Sequence, residues 1–186
     1  MKFWTVQSRA VMETVYQKGV YQPDFSKSRY VSQIPNLEPL YAFLLSAFNG
    51  INNTELPGLI FAFAGSDGRQ IYPLENIEEF YVFIQSKKNA IESLWRAMGR
   101  ENSVIVELDC DGAFNPIFID INDFQFLMPP VTLLPPYTRE SIDRICEDIA
   151  RGQIRASEFP SYVIQAHLPN IRKEQVAGIY SVFALQ

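Results

Sequence analysis

A chain of 186 residues, 47% hydrophobic and 20% charged, suits one globular domain spanning 1–186, and it excludes disorder and collagen-like repeats. A core that hides roughly 70% of the unfolded surface, as is usual at this size, holds without disulfides or a structural metal. The 16 Lys and Arg against 21 Asp and Glu leave a charge of −5, and no apolar run reaches a membrane span, so the expectation is a soluble cytoplasmic protein with neither a membrane nor duplex nucleic acid as partner.

Phe3 to Val6 read as a strand. Ser8 is a natural N-cap for a helix that carries Val11, Met12, Val15 and Tyr16, and Gly19 is its stop. Val20 to Gln22 form a short strand before the polar loop PDFSKSRY. In that loop Arg29 and Tyr30 place an anion contact beside a stacking ring, the best local sign of binding. A second helix starts near Pro39 and runs through Leu40, Phe43, Leu44, Ala47 and Phe48 to Gly50. Its apolar character on nearly every side predicts burial all round.

Leu59 to Ala64 is a short apolar run closed by Gly65-Ser66-Asp67-Gly68, the pattern of an interior strand and a plain turn. The glycines and Lys of a phosphate loop do not follow. Asn76 and Glu79 open a helix with Ile77, Phe80, Tyr81, Ile84, Ile91, Leu94, Trp95 and Met98 on its inner face. Lys87-Lys88 interrupt that stripe, which predicts a break near Ser86. From Val104 the period becomes two, and Asp111-Gly112 predicts a tight hairpin in which Cys110 pairs with Ala113. That register puts Val104, Val106 and Leu108 on one face with Ile117 and Ile119, and leaves Glu107, Asp109 and Asp120 on the other. Pro116 cannot donate to a ladder, so its strand lies at an edge or the pairing frays there. The proline-rich Leu127 to Pro136 wraps the core in extended form, and Thr138 caps a helix ending at Gly152. The chain closes with a strand from Tyr162 to Leu168, a helical turn around Ile171 to Gln175 and a strand from Ala177 to Leu185.

Chemistry-bearing residues are few. Cys110 and Cys146 stand far apart without second cysteines nearby, which gives no zinc or disulfide pattern, and Cys146 lies on the apolar stripe of Ile142 and Ile149. His167 is the only histidine, in a strand whose surroundings suit a hydrogen-bonded, partly buried ring better than a ligand-binding role. Glu107, Asp109, Asp111, Asp120 and Asp123 lack calcium-loop spacing, because Phe114 stands where the loop requires glycine; they read as a solvated edge and turn, and no metal is expected. No G-x-S-x-G surrounds a serine, so no hydrolase elbow is present, and the catalytic residues stay unknown.

Trp4-Thr5-Val6-Gln7, then a helix, Gly19-Val20 and a Ser-rich segment, resemble the opening of the uncharacterised bacterial family called domain of unknown function 3841. The closing Ile164-Gln165-Ala166 and Glu174-Gln175-Val176 resemble the same family. The layout is more remotely similar to ADP-ribosyltransferase-like domains, which hold NAD in a cleft between strands. That resemblance implies a nucleotide-type ligand, with NAD as the cofactor. It puts Thr5 and Gln7 toward the ligand, Tyr30 or a nearby serine against it, and Gln165 or His167 in the late-strand place. The glutamate expected there is absent, and Glu158 reaches it only in a different register. Without that carboxylate a transferase would be degenerate, because charge placed at the developing cation carries the catalysis.

The fold expected is a single α+β domain, a largely antiparallel sheet with about four helices. Its leading function is a nucleotide cleft lined by Thr5, Gln7, Arg29, Tyr30, Gln165 and His167. The alternative is a non-enzymatic module that binds a protein partner through an acidic or apolar face, such as an inhibitor or accessory protein of a mobile element or defence system.

Overall fold

The computed structural model describes residues 1–28, 38–67, 70–100, 102–121 and 161–186. Arg29, Tyr30, Asp123, the proline-rich stretch, the helix expected after Thr138, Cys146 and Glu158 lie outside the described residues. The strands are β1 (Lys2–Ser8), β2 (Val20–Tyr21), β3 (Ile60–Ser66), β4 (Ile71–Tyr72), β5 (Ser103–Asp109), β6 (Ile117–Asp120), β7 (Val163–Leu168), β8 (Ile171–Arg172) and β9 (Val176–Ser181). The helices among these residues are α1 (Arg9–Lys18), α2 (Glu38–Asn52), α3 (Ile77–Ser86) and α4 (Lys88–Met98). The main sheet runs β6-β7-β3-β1-β5-β9 with β4 added to β3, and β2 and β8 form a separate ribbon. Every pairing in both is antiparallel. The α+β fold is as expected.

Local chemistry fixes the helix ends. Ser8 accepts from the Val11 N–H, and Gly19 ends α1 with φ 80, a left-handed turn that costs glycine little. Asn76 accepts from the Glu79 N–H at 2.9 Å. The long helix breaks at Lys87, whose N–H reaches back to Phe83 and Ile84. The chain restarts as α4, and the two helices place Phe80, Phe83, Ile84, Ile91, Leu94 and Trp95 inward.

The sheet is covered on both faces. Phe3, Ala62, Ala64, Val104, Val106, Leu108, Ile164 and Ala166 face α1, which contributes Met12 and Val15. Trp4, Phe63, Ile105 and Val163 face α3 and α4, and further along the same side Ile117 and Ile119 meet Tyr41, Leu44 and Phe48 of α2. Trp4 anchors the second face: its ring stacks on Phe80 at 4.8 Å and its N–H donates to the Leu74 carbonyl at 2.8 Å. Helix α2 buries one stripe rather than every side, since Ile51 remains 46% exposed.

One expected pairing does not form. Gly112 turns the chain with φ 77, but β5 lies between β1 and β9 while β6 pairs with β7 at the far end of the described sheet. Ile117 and Ile119 accordingly pack on the side opposite Val104, Val106 and Leu108. Segment Cys110 to Pro116 is a crossing rather than a hairpin: β5 is paired on both sides, by β1 along its whole length and by β9, which leaves no side for β6. The β6–β7 ladder begins at Ile117, just after Pro116, whose missing N–H is thereby kept out of it, and among the described residues β6 pairs with β7 alone.

Candidate functional site

Strand alternation decides where the expected site residues point. Trp4 pairs with Phe63 and Phe63 with Gln165, so Trp4, Phe63, Gln165 and His167 share the side of α2, α3 and α4. Thr5 and Gln7 lie one step out of phase with Trp4, on the side of α1. The sheet therefore separates Thr5 and Gln7 from Gln165 and His167, and these residues do not line a common hollow.

Each pair is engaged internally. The Thr5 hydroxyl donates to the Phe61 carbonyl at 2.7 Å and accepts from the Gln7 amide at 2.8 Å. His167 and Gln165 are both fully buried. His167 Nδ1 lies 3.0 Å from the Ile117 carbonyl and Nε2 lies 2.7 Å from Gln165 Oε1, while the Phe61 ring meets the imidazole edge to face at 5.2 Å. Burial pushes the imidazole down to about 3, so the ring is neutral at ordinary pH and carries one N–H for two acceptors. The Gln165 amide nitrogen has no partner. Exchanging the ends of that amide satisfies the ring, since Nδ1–H donates to Ile117 and the amide nitrogen donates to Nε2; the buried amide end without a partner is then the oxygen. The pair is a buried structural link: both imidazole nitrogens are engaged, and neither residue is exposed to solvent.

Of the acidic residues expected along a solvated edge and turn, Asp109 and Asp111 are exposed, but Glu107 and Asp120 are not. Glu107 is 6% and Asp120 2% exposed, each buried because partners distant in sequence compensate it. Glu107 accepts from Lys2 Nζ at 3.0 Å and from the Tyr180 hydroxyl at 2.9 Å. That hydrogen bond to Glu107 holds both the Lys2 ammonium and the Tyr180 phenol above their usual ranges. Asp120 accepts from the Ser161 hydroxyl at 2.7 Å and from the Ser161 and Tyr162 N–H groups at 3.2 and 3.0 Å. Tyr162 takes φ 59 there, the left-handed region, with Lys87 Nζ 5.0 Å from the centre of its ring. The sequence carried a faint signal for Glu107, a lone carboxylate inside an apolar strand. It carried none for Asp120, whose partners lie beyond position 160.

Burial pushes the Cys110 thiol up to about 11, the opposite of what a nucleophile needs. Among the described residues no group of three or more His, Cys, Asp and Glu side chains is arranged to hold a metal ion, and no helix is long and apolar enough to cross a membrane. A groove of about 450 Å³ runs between α4 and the final residues, with Trp95, Val182, Phe183 and Leu185 in its lining and the exposed Glu92–Arg96 ion pair beside it. Trp95 donates to the Phe183 carbonyl at 2.7 Å and fixes one wall. No family model matches the chain, and no curated protein or solved structure matches it.

Proposed function

We propose that the chain is a non-enzymatic protein-binding module. The observation that carries this reading is β9. Among the described residues this strand pairs with β5 alone, and Ala177, Ile179 and Ser181 stand exposed along it. A strand with one unpaired side presents a row of N–H and C=O groups that another chain can complete. The residues that would have served a nucleotide cleft support the same reading by their engagement: Thr5, Gln7, Gln165 and His167 are bonded to one another or to the backbone on two separate faces.

The test is a thermal-shift titration of the protein with NAD and ADP-ribose to millimolar concentration. The expected result is an unchanged melting temperature. A melting temperature that climbs with ligand concentration, as mass action requires of a ligand bound by the folded state, would return the protein to the nucleotide-binding reading.

A further inference from the structure

The geometry points to the edge of β9 left unpaired among the described residues as the docking line for an extended, basic segment of a partner protein, an inference that rests on the protein-binding reading above. Among the described residues, the two edge strands of the main sheet differ. Strand β6 is short, follows Pro116 and ends at the buried Asp120, features that blunt an edge. Strand β9 has the sequence VAGIYS, with neither a charge nor a proline to repel an incoming strand. Its register irregularity is confined to the end beside Leu108. From Gly178 to Ser181 the strand pairs regularly with β5, and Ile179 is 39% exposed.

The charge around this edge selects the occupant. On the face that carries Gly178 and Tyr180, the tyrosine hydroxyl reaches back to Glu107, and the Glu78 carboxylate is near enough to help raise the phenol. Glu75 and Asp109 flank the same network and are mostly exposed, at 58% and 64% of their side chains. Lys2 is engaged with Glu107 at 3.0 Å and, more loosely, with Glu75 at 3.9 Å, and the Met1 ammonium with Asp109, which leaves Glu78 and the exposed part of Glu75 to face a partner. Carboxylates outnumber cations at this corner, so its field attracts a positively charged strand. A second copy, with the same acidic corner and the same −5 charge, is the less favoured occupant. Strand addition would supply the affinity through main-chain bonds; a Lys or Arg on the partner would supply the selection through Glu75 and Glu78, and an apolar residue would cover Ile179.

The test uses a fluorescent peptide of alternating Val and Lys, with one of alternating Val and Glu as its control, titrated against the whole chain by anisotropy. The Val-Lys peptide is expected to bind and to weaken as salt rises. Ile179→Lys is expected to weaken it on the order of tenfold, and the paired Glu75→Gln and Glu78→Gln variant several-fold with a flatter salt dependence. Ser181→Lys is a second edge variant should Ile179→Lys fail to fold. Binding that survives both edge variants, or equal binding of the Val-Glu peptide, overturns the inference. So does a concentration-dependent dimer that Ile179→Lys dissolves without any peptide binding. If no peptide binds and NAD leaves the melting temperature unchanged, this inference alone falls; if no peptide binds and NAD raises it, the protein-binding reading falls with it.

Discussion

Asp120 holds Ser161 by both its hydroxyl and its N–H, at 2.7 and 3.2 Å, inside a site where the carboxylate is 2% exposed. The two residues bracket a long stretch of chain, so this contact joins the end of β6 to the approach to β7. Removing the carboxylate leaves buried donors without it, and a hydrogen bond to a charged acceptor contributes about 1.5–3 kcal/mol. Asp120→Ala is expected to cost about 3 kcal/mol in urea denaturation. Asp120→Asn keeps one oxygen acceptor and is expected to cost less than half as much. Equal losses for the two variants would remove the hydrogen bonds as the cause.

His167 makes the fold sensitive to acid. Its pKa falls from an unfolded value of 6.5 to about 3 in the folded state, so the unfolded chain binds the extra proton. The stability this group contributes is complete above pH 6.5 and is lost as the pH falls toward 3, by up to about 1.4 kcal/mol per pH unit. Denaturation midpoints of the wild type and His167→Phe, compared from pH 7 to pH 4, isolate the contribution from that of the carboxylates. A steeper acid loss in the wild type is the expected result, and parallel curves would refute it.

Gln165 and His167 should behave as one unit. Gln165→Leu leaves an imidazole nitrogen without a partner, and His167→Phe leaves the whole amide so, each at a cost of about 1–3 kcal/mol. The double variant removes both needs together and is expected to be less destabilised than the sum of the two, with a coupling of about 1–2 kcal/mol. A double-mutant cycle measured by urea denaturation checks this, and strict additivity would show that the pair does not interact.

The Lys2–Glu107–Tyr180 network is expected to fail at the alkaline end. Both the ammonium and the phenol titrate higher in the folded state than in the unfolded one, so their contribution is complete below about pH 10 and is lost as pH rises through the folded values. Glu107→Gln removes the charge that both groups contact. The expected outcome is an earlier phenolate transition for one tyrosine in ultraviolet titration of the variant, and Tyr180→Phe should delete that transition. An unchanged titration in Glu107→Gln would disconnect Tyr180 from the carboxylate.

Gly178 is tied to the same contact. A Cβ at this position would sit 2.5 Å from the Tyr180 hydroxyl oxygen, closer than atoms pack, so the ring could not stay across the strand. Gly178→Ala is expected to lower stability by about 1–2 kcal/mol and to shift the Tyr180 transition as Glu107→Gln does. Stability equal to that of the wild type would mean that the ring moves aside without cost.

Short-range chemistry was legible from the residues alone. Ser8 and Gly19 bound α1, Asn76 with Glu79 opens α3, the long helix breaks at the lysines after Ser86, and the ladder of β6 starts only after Pro116. Each of these depends on a few neighbouring residues and a backbone group within reach, so sequence spacing contains the whole interaction. The α+β class followed from the same kind of signal, since runs of period two and of helical period do not alternate regularly.

Which strands meet, and in what phase, only the tertiary structure decided. Asp111-Gly112 could turn the chain, yet β6 found β7, because β1 and β9 take both sides of β5 and leave none for it. Phase then placed Gln7 and Gln165 on opposite sides of the sheet, since one residue of register reverses every side chain. Glu107 and Asp120 are internal for a related reason: the groups that compensate a buried charge lie far along the chain, and the distance that matters is the one through space.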